Sequence, residues 1–175
     1  MRALFVIAVA VLAGFLLSPM LRADADADAG CTPAPSVSSA RPAQPRWSAE
    51  QLANARLIVT IGTGRHVPRE GLVIAVATAI QESGLRNLRG GDRDSIGLFQ
   101  QRPSQGWGTP KQLHDPAYQT GKFYDKLLKV PGWQKMRLTE AAQAVQISAF
   151  PEAYTKHSAA ATDLVNALTP TSCHA

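Results

Sequence analysis

The stretch LVIAVATAIQESGL, residues 72–85, decides the fold of this chain. Its first nine residues are almost wholly apolar, and the run ends abruptly in the polar residues 81–84. Pro68 is well placed to open a helix just before it. A helix without a polar face belongs in the middle of a domain. The sequence therefore predicts a buried central helix over residues 68–82, with the carboxyl group of Glu82 at its C-terminal end.

Two influences on Glu82 favour its protonated form. The helix macrodipole places partial negative charge beside the carboxyl group, an effect worth only about 0.3 to 1 kcal/mol. Apolar surroundings strip water from the ionised form, and burial can raise the pKa of a carboxyl group by roughly 3 or more. We therefore expect burial to dominate. A raised glutamate pKa is what a general acid in glycoside cleavage requires.

The flanking sequence also has helical patterns. Ser48 opens a capping-box pattern, apolar residues then recur at helical spacing to Ile61, and Gly62 and Gly64 are expected to stop that helix. Further helices are expected from Thr109 and Pro110, from Asp115 and Pro116 to Leu128, from a cap at Thr139 to the break at Pro151, and over residues 158–168. No strand alternation and no internal repeat are evident. The chain is therefore predicted to be mainly α, with one domain over residues 47–175.

Residues 84–108 lack helical periodicity and are rich in Gly, Asp, Arg, Ser and Gln. They predict a long loop or a short hairpin directly after the central helix. Loops of this length inside compact domains are usually functional. Trp107, between two glycines in this polar segment, is a candidate for stacking on a sugar ring. By contrast, we expect core positions for Leu98, Tyr118, Phe123, Tyr124 and Trp133.

The N-terminal residues predict export from the cell. Arg2 precedes the apolar stretch 3–17, and small residues at 23–25 offer a cleavage site, which is the pattern of a signal peptide over residues 1–25. The stretch is short for a membrane span of about 20 residues, which favours cleavage, with an uncleaved anchor as the alternative. Membrane contact is expected only through that anchor. Residues 26–46, rich in Pro, Ala and Ser, predict a flexible tether.

The cysteines and the charges limit which partners and bound groups this chain is expected to have. Cys31 and Cys173 are its two cysteines, and export favours a disulfide between them over two free thiols. No ligand spacing predicts a metal site, and no motif predicts a cofactor. The net charge of +5 suits work near an anionic wall or membrane surface. Arg and Lys are scattered, which argues against a nucleic-acid partner.

Three segments resemble the lysozyme-like superfamily, above all its soluble lytic transglycosylase and goose-type lysozyme branch. AIQESGL, residues 79–85, matches a helix-ending Glu-Ser, and DSIGLFQQRP, residues 94–103, matches the Gly-Leu-Met-Gln-type segment that follows it. AAQAVQISAFPEAY, residues 141–154, lies where transglycosylases carry Ala-Tyr-Asn-Ala-Gly. The chain also resembles an actinobacterial group of exported lysozyme-like proteins. The resemblance covers roughly residues 55–157.

This resemblance implies a lysozyme-like fold and cleavage of the β-1,4 bond between N-acetylmuramic acid and N-acetylglucosamine in peptidoglycan. Glu82 would protonate the leaving oxygen and then act as base, while the acetamido group or the 6-hydroxyl of the substrate completes the reaction. If water attacks instead, Asp94 and then Asp92 are the candidate bases. Turn formation is the favoured explanation of both aspartates.

The resemblance also implies a sugar groove beside Glu82. Its expected contacts are Ser83, Ser95, Gly97, Phe99, Gln100, Gln101 and Phe150. Phe150 is a departure from the family pattern, because it stands where transglycosylases have the tyrosine of their third motif. The hydroxyl that orients the glutamate would then be lost unless Tyr154, one turn later, supplies it.

Three functions follow from these residues. The first is an exported glycosidase that cleaves peptidoglycan through Glu82. The second is an inactive lysozyme-like module that binds wall glycan or a partner protein, as the departure at Phe150 suggests. The third is a secreted scaffold without glycan affinity. The oligomeric state is left open by the sequence.

Overall fold

Six α-helices make up most of the chain described by the structure, a computed structural model that describes residues 46–148 and 150–169. They are α1 Ala49–Gly64, α2 Arg69–Ser83, α3 Pro110–Leu113, α4 Pro116–Leu127, α5 Leu138–Gln146 and α6 Ser158–Leu168. Short 3₁₀ segments lie at Pro103–Gln105, Trp133–Lys135 and Pro151–His157. No strand occurs in these two ranges, so the prediction of a mainly α domain is confirmed.

Helix α2 is the central element of the domain. All of its residues from Gly71 to Ile80 are buried, and α1, α4, α5, α6 and the segment Pro151–His157 contact it. Gly84 ends the helix in a left-handed conformation with φ of 63°, which costs little in glycine. The predicted buried central helix is therefore confirmed, and its last turn, which carries Glu82, lies at the edge of the core.

Helix α1 ends at the glycine pair predicted to stop it, with Gly64 as its last residue. The capping box forms as predicted, since Ser48 Oγ accepts from the Gln51 N–H at 3.2 Å. Gly62 nevertheless lies inside the helix, where a Cβ would overlap the side chains of Leu72 and Tyr124. Gly62 thus permits close packing of α1 against α2 and α4, and the helix ends at Gly64, the second of the two glycines predicted to stop it.

Helix α5 is shorter at its C-terminal end than its sequence pattern predicts. It begins at Leu138, because Glu140 accepts a hydrogen bond from the Arg137 N–H at 3.0 Å, and Thr139 is not its cap. It ends at Gln146, because Ile147 takes the left-handed conformation with φ of 54°. The chain therefore leaves the helix well before Pro151.

The segment after α2 contains a hairpin reduced to one bridge. The backbone of Ile96 and Gln101 pairs through two hydrogen bonds of 3.0 and 3.1 Å. The turn between them is held by Gln119 of α4, whose Oε1 accepts from the Phe99 N–H at 3.0 Å. The Phe99 ring stacks on Phe123, with 4.8 Å between ring centroids. The loop is thus anchored in the core.

The expected core residues are buried in the structure, apart from Tyr118, which is partly buried. The predicted signal peptide, both cysteines and the tether except Arg46 lie outside the described residues. Within the described residues, no helix is both long enough and apolar enough to cross a membrane.

Candidate active site

Glu82 lies half-buried in the last turn of α2 and lines an open cavity of about 280 Å³. Its Oε1 accepts a hydrogen bond from the Tyr154 hydroxyl at 2.8 Å, and the Gln146 side chain lines the same cavity. Burial raises the pKa of Glu82 above its ordinary value. The Tyr154 hydrogen bond and the polar Gln146 side chain favour the ionised form and oppose that rise without cancelling it. The carboxyl group is therefore shielded from water and oriented.

Tyr154 reaches Glu82 from the 3₁₀ segment Pro151–His157 and is fully buried. Burial and the negative charge of Glu82 raise the pKa of the Tyr154 phenol well above its ordinary value. The hydroxyl therefore stays protonated and acts as a hydrogen-bond donor to Glu82. Phe150, four residues earlier, is 74 % exposed and does not line the cavity. The hydroxyl beside the glutamate thus comes from Tyr154. The prediction that Phe150 contacts the sugar is not supported, because Phe150 lies outside the cavity wall.

Amide and guanidinium groups dominate the rest of the cavity wall. The residues that line the cavity with Glu82 are Asp92, Arg93, Gln100, Arg102, Gln105, Trp107, Gln146, Ile147 and Ser148. Amide side chains can donate to and accept from hydroxyl and acetamido groups. Gln100 and Trp107 are the two expected sugar contacts that the structure brings to this cavity.

Ser83, another expected sugar contact, has an internal role instead. It is buried, and its Oγ donates to the Leu98 carbonyl at 2.7 Å. The same oxygen accepts from the Arg86 N–H at 3.2 Å. Ser83 therefore ties the end of α2 to the turn between the bridge partners Ile96 and Gln101.

Four further expected contacts are also buried and lie away from the cavity. Ser95 and Phe99 are covered by the fold, and Gln101, 1 % exposed, donates through Nε2 to the Gln119 carbonyl at 3.1 Å. Gly97 permits a close approach, but the approaching group is the Gln119 amide and not a substrate. The structure corrects this part of the predicted groove, because the turn faces the core.

Asp94, the first candidate base, is engaged in holding the loop. Its Oδ2 accepts from the Ser104 N–H at 2.8 Å and its Oδ1 from Arg102 Nε at 2.5 Å. The hydrogen bonds from Ser104 and Arg102 hold the pKa of Asp94 well below its ordinary value. Asp94 does not line the cavity, whereas Asp92 does, with a side chain that is 93 % exposed. These contacts favour the turn interpretation for Asp94.

Trp107 is not the open stacking surface expected from its sequence context. Its side chain is buried, and the Lys126 Nζ lies 3.3 Å from the centroid of its ring. One ring face is therefore covered by an ammonium group. Trp107 also lines a second cavity of about 210 Å³, next to the first.

Sequence reasoning missed Gln146 and Gln119. Gln146 lines the cavity beside Glu82, opposes the rise in the pKa of its carboxyl group and donates through Nε2 to the Phe99 carbonyl at 2.8 Å. Gln119 stands one helical turn before Phe123, so a polar residue on that apolar helix face could have signalled a buried amide. Nothing in the sequence around Gln146 distinguishes it from a solvent-facing residue.

No cluster of three or more His, Cys, Asp or Glu suited to a metal ion occurs among residues 46–148 and 150–169. Comparison with protein-family models finds no match to this sequence, and comparison with curated proteins finds none either. What the site does must therefore be inferred from its geometry.

Proposed function

We propose that this chain cleaves the β-1,4 bond between N-acetylmuramic acid and N-acetylglucosamine in peptidoglycan, with Glu82 as general acid and base. The observation that carries the proposal is the Glu82 carboxyl group, half-buried at the end of α2 beside an open polar cavity. Burial favours the protonated form, which a general acid needs before the reaction starts. The resemblance of residues 79–85 and 94–103 to lytic transglycosylases and goose-type lysozymes supports the same activity.

In the proposed reaction, Glu82 gives its proton to the glycosidic oxygen as that bond breaks, and positive charge develops on the muramyl ring. The Tyr154 hydroxyl stabilises the carboxylate left behind, because its hydrogen bond favours the ionised form. The carboxylate then takes the proton of the attacking 6-hydroxyl of the same sugar. One strand ends in an anhydromuramyl group, the other in a free N-acetylglucosamine hydroxyl.

The number and exposure of the carboxyl groups that line the cavity favour a mechanism in which the substrate itself, and not a water molecule, attacks the muramyl carbon. Among the residues that line the cavity, Asp92 carries the second carboxylate, and solvent surrounds it. A water-activating base on the far side of the sugar would have to be this exposed group, since Asp94 is paired with Arg102. We therefore propose the transglycosylase reaction, which needs one carboxyl group.

The same observation supports a second candidate function. A cavity with one shielded carboxyl group also suits an inactive lysozyme-like module that binds wall glycan. Both candidates place the protein outside the cell or in its envelope, where the predicted signal peptide would deliver it, and neither requires a cofactor.

Digestion of purified peptidoglycan tests the proposal. The full chain is incubated with the polymer, and the new sugar ends are identified by mass spectrometry. Anhydromuramyl ends are the expected result, and reducing muramic ends would show hydrolysis instead. Intact polymer that retains the bound protein would establish the binding module and overturn the enzyme.

Tyr154→Phe is expected to lower kcat about 10- to 100-fold and to move the basic limb of the pH profile to higher pH. The first effect corresponds to a hydrogen bond to a charged group, worth about 1.5–3 kcal/mol. The second follows because the lost hydrogen bond opposes the raised pKa of Glu82. The first effect is measured as kcat and the second from the pH dependence of kcat/KM.

Tyr124→Phe is the matched control for that substitution. It also removes a buried phenolic hydroxyl, one that donates to the Ile58 carbonyl at 3.2 Å and does not line the Glu82 cavity. We expect its pH profile to match that of the unsubstituted protein. A basic limb that stays in place or moves to lower pH in Tyr154→Phe would contradict the general-acid role of Glu82.

A further inference from the structure

Two adjacent cavities, the first of them lined by Glu82, share part of their walls, and we call the pair the trough. The Glu82 cavity, defined above, and the second cavity share Gln105, Trp107, Gln146 and Ile147 in their walls. We name the second one the Lys126 cavity, because Lys126 lines it and does not line the first. Neither cavity alone reaches the ~300–1,000 Å³ typical of ligand pockets, but the two together do. A polymer cleaved at Glu82 can therefore extend into the Lys126 cavity.

Lys126 is a half-buried cation without a carboxylate partner. Among the described residues no Asp or Glu lies within ion-pair distance of it, and its neighbour Asp125 pairs with Arg65. Burial and the nearby charge of Lys122 lower the pKa of Lys126. An ammonium group held in this position costs stability that no neighbouring carboxylate offsets.

The helix around Lys126 adds to that cost. Lys122 stands one turn earlier on α4, and like charges at this spacing are destabilising. Both ammonium groups lie over aromatic rings, Lys122 at 5.5 Å from the Tyr118 centroid and Lys126 at 3.3 Å from the Trp107 centroid. Lys122 lines a separate depression with Tyr118, away from the trough. Lys126 is thus the one of the two that a ligand in the trough would meet.

We propose that Lys126, seated on Trp107, binds a carboxylate borne by the muramyl residue whose glycosidic bond is cleaved at Glu82. This inference rests on the proposed function, because it assigns to the same trough a contact with a charged group of the same substrate. Of the two sugars of peptidoglycan, N-acetylmuramic acid bears a lactyl ether whose carboxylate is free in naked strands. In substituted strands this group is amidated, and the stem peptide carries the carboxylates. N-acetylglucosamine has neither, so Lys126 would distinguish a muramyl strand from a chitin-like one.

Binding to charged and uncharged versions of one glycan tests this subsite. All proteins carry Glu82→Gln so that no strand is cleaved, and dissociation constants are measured by calorimetry. The ligands are naked muramyl oligosaccharides, the same oligosaccharides with the lactyl carboxyl reduced to an alcohol, and oligosaccharides that keep their stem peptides. Lys126→Met keeps an apolar chain over the Trp107 ring and removes the charge. Lys122→Met is the control, because it removes an equal charge outside the trough.

We expect Lys126→Met to weaken binding of a carboxylate-bearing strand about tenfold, as for the loss of one charge-assisted contact. It should leave binding of the carboxyl-reduced strand unchanged, and Lys122→Met should alter neither. A loss confined to naked strands assigns the lactyl carboxylate, and one confined to peptide-bearing strands assigns the stem peptide. Equal losses with charged and reduced strands, or equal losses in both lysine variants, would overturn the subsite alone. If none of the strands binds, both the subsite and the proposed glycan function are overturned.

Discussion

Glu82→Gln is expected to lower the rate of the proposed peptidoglycan cleavage by about 10²- to 10⁴-fold, the usual contribution of a positioned general acid. Glutamine keeps the shape of the side chain and can still accept the Tyr154 hydrogen bond. It cannot donate a proton to the glycosidic oxygen at any pH. The measurement is the rate of release of anhydromuramyl ends. Cleavage by the variant at the unsubstituted rate would exclude Glu82 as the acid.

Thermal unfolding of the same variant provides its control for folding. The pKa of Glu82 is raised in the folded state, so its contribution to stability is complete below its unfolded pKa and is lost as the pH rises through the folded value. Glutamine has no such loss. The Tm of Glu82→Gln relative to the unsubstituted protein is therefore expected to increase from pH 4 to pH 8. Asp94, whose pKa is lowered, also makes Tm depend on pH. This contribution is the same in both proteins and cancels in the difference between their Tm values.

Local patterns were sufficient to predict the helix that presents this carboxyl group. The apolar run 72–80, which lies between Pro68 and Gly84, has few alternatives to forming a buried helix. The polar turn that follows the run then lies at the edge of the core. Capping also depends on neighbours in sequence, which is why the capping box at Ser48 and the helix start at Thr109 and Pro110 are predictable. The packing role of Gly62 could not be predicted in this way, because its packing partners come from other helices.

The partners of Glu82 could not be predicted in this way. Tyr154 is 72 residues away in sequence, and the contact depends on how α5 ends at Ile147, whose left-handed conformation is uncommon for a β-branched residue. Gln100 and Gln101 show the same limit at close range. They are adjacent and chemically identical, yet Gln100 lines the cavity and Gln101 is buried. Their roles are set by the bridge of Ile96 with Gln101, which depends on anchoring to α4.

That anchoring predicts a large loss of stability for Gly97→Ala, roughly 2 to 6 kcal/mol. Gly97 has φ of 79°, where a side chain is strained, and a Cβ there would overlap the Gln119 amide. Backbone strain and overpacking each cost about 1–3 kcal/mol. The amide has little freedom to yield, because its Nε2 donates to the Leu113 carbonyl at 2.6 Å. Urea unfolding measures the loss, and Gly90→Ala, in open space on the same loop, should change stability by less than about 0.5 kcal/mol.

A double substitution separates the two causes of that loss. Gln119→Ala removes the overlapping amide, so combining it with Gly97→Ala should cost less than the sum of the single effects by about 1 kcal/mol or more. The strain at φ of 79° stays in the double variant. Strict additivity would show that overlap with Gln119 is not a cause. Activity should fall with stability, because the displaced turn carries the Leu98 carbonyl that holds Ser83 and the Phe99 carbonyl that holds Gln146. The position of Glu82 would then change through its neighbours Ser83 and Gln146, while its own side chain and Tyr154 are unchanged.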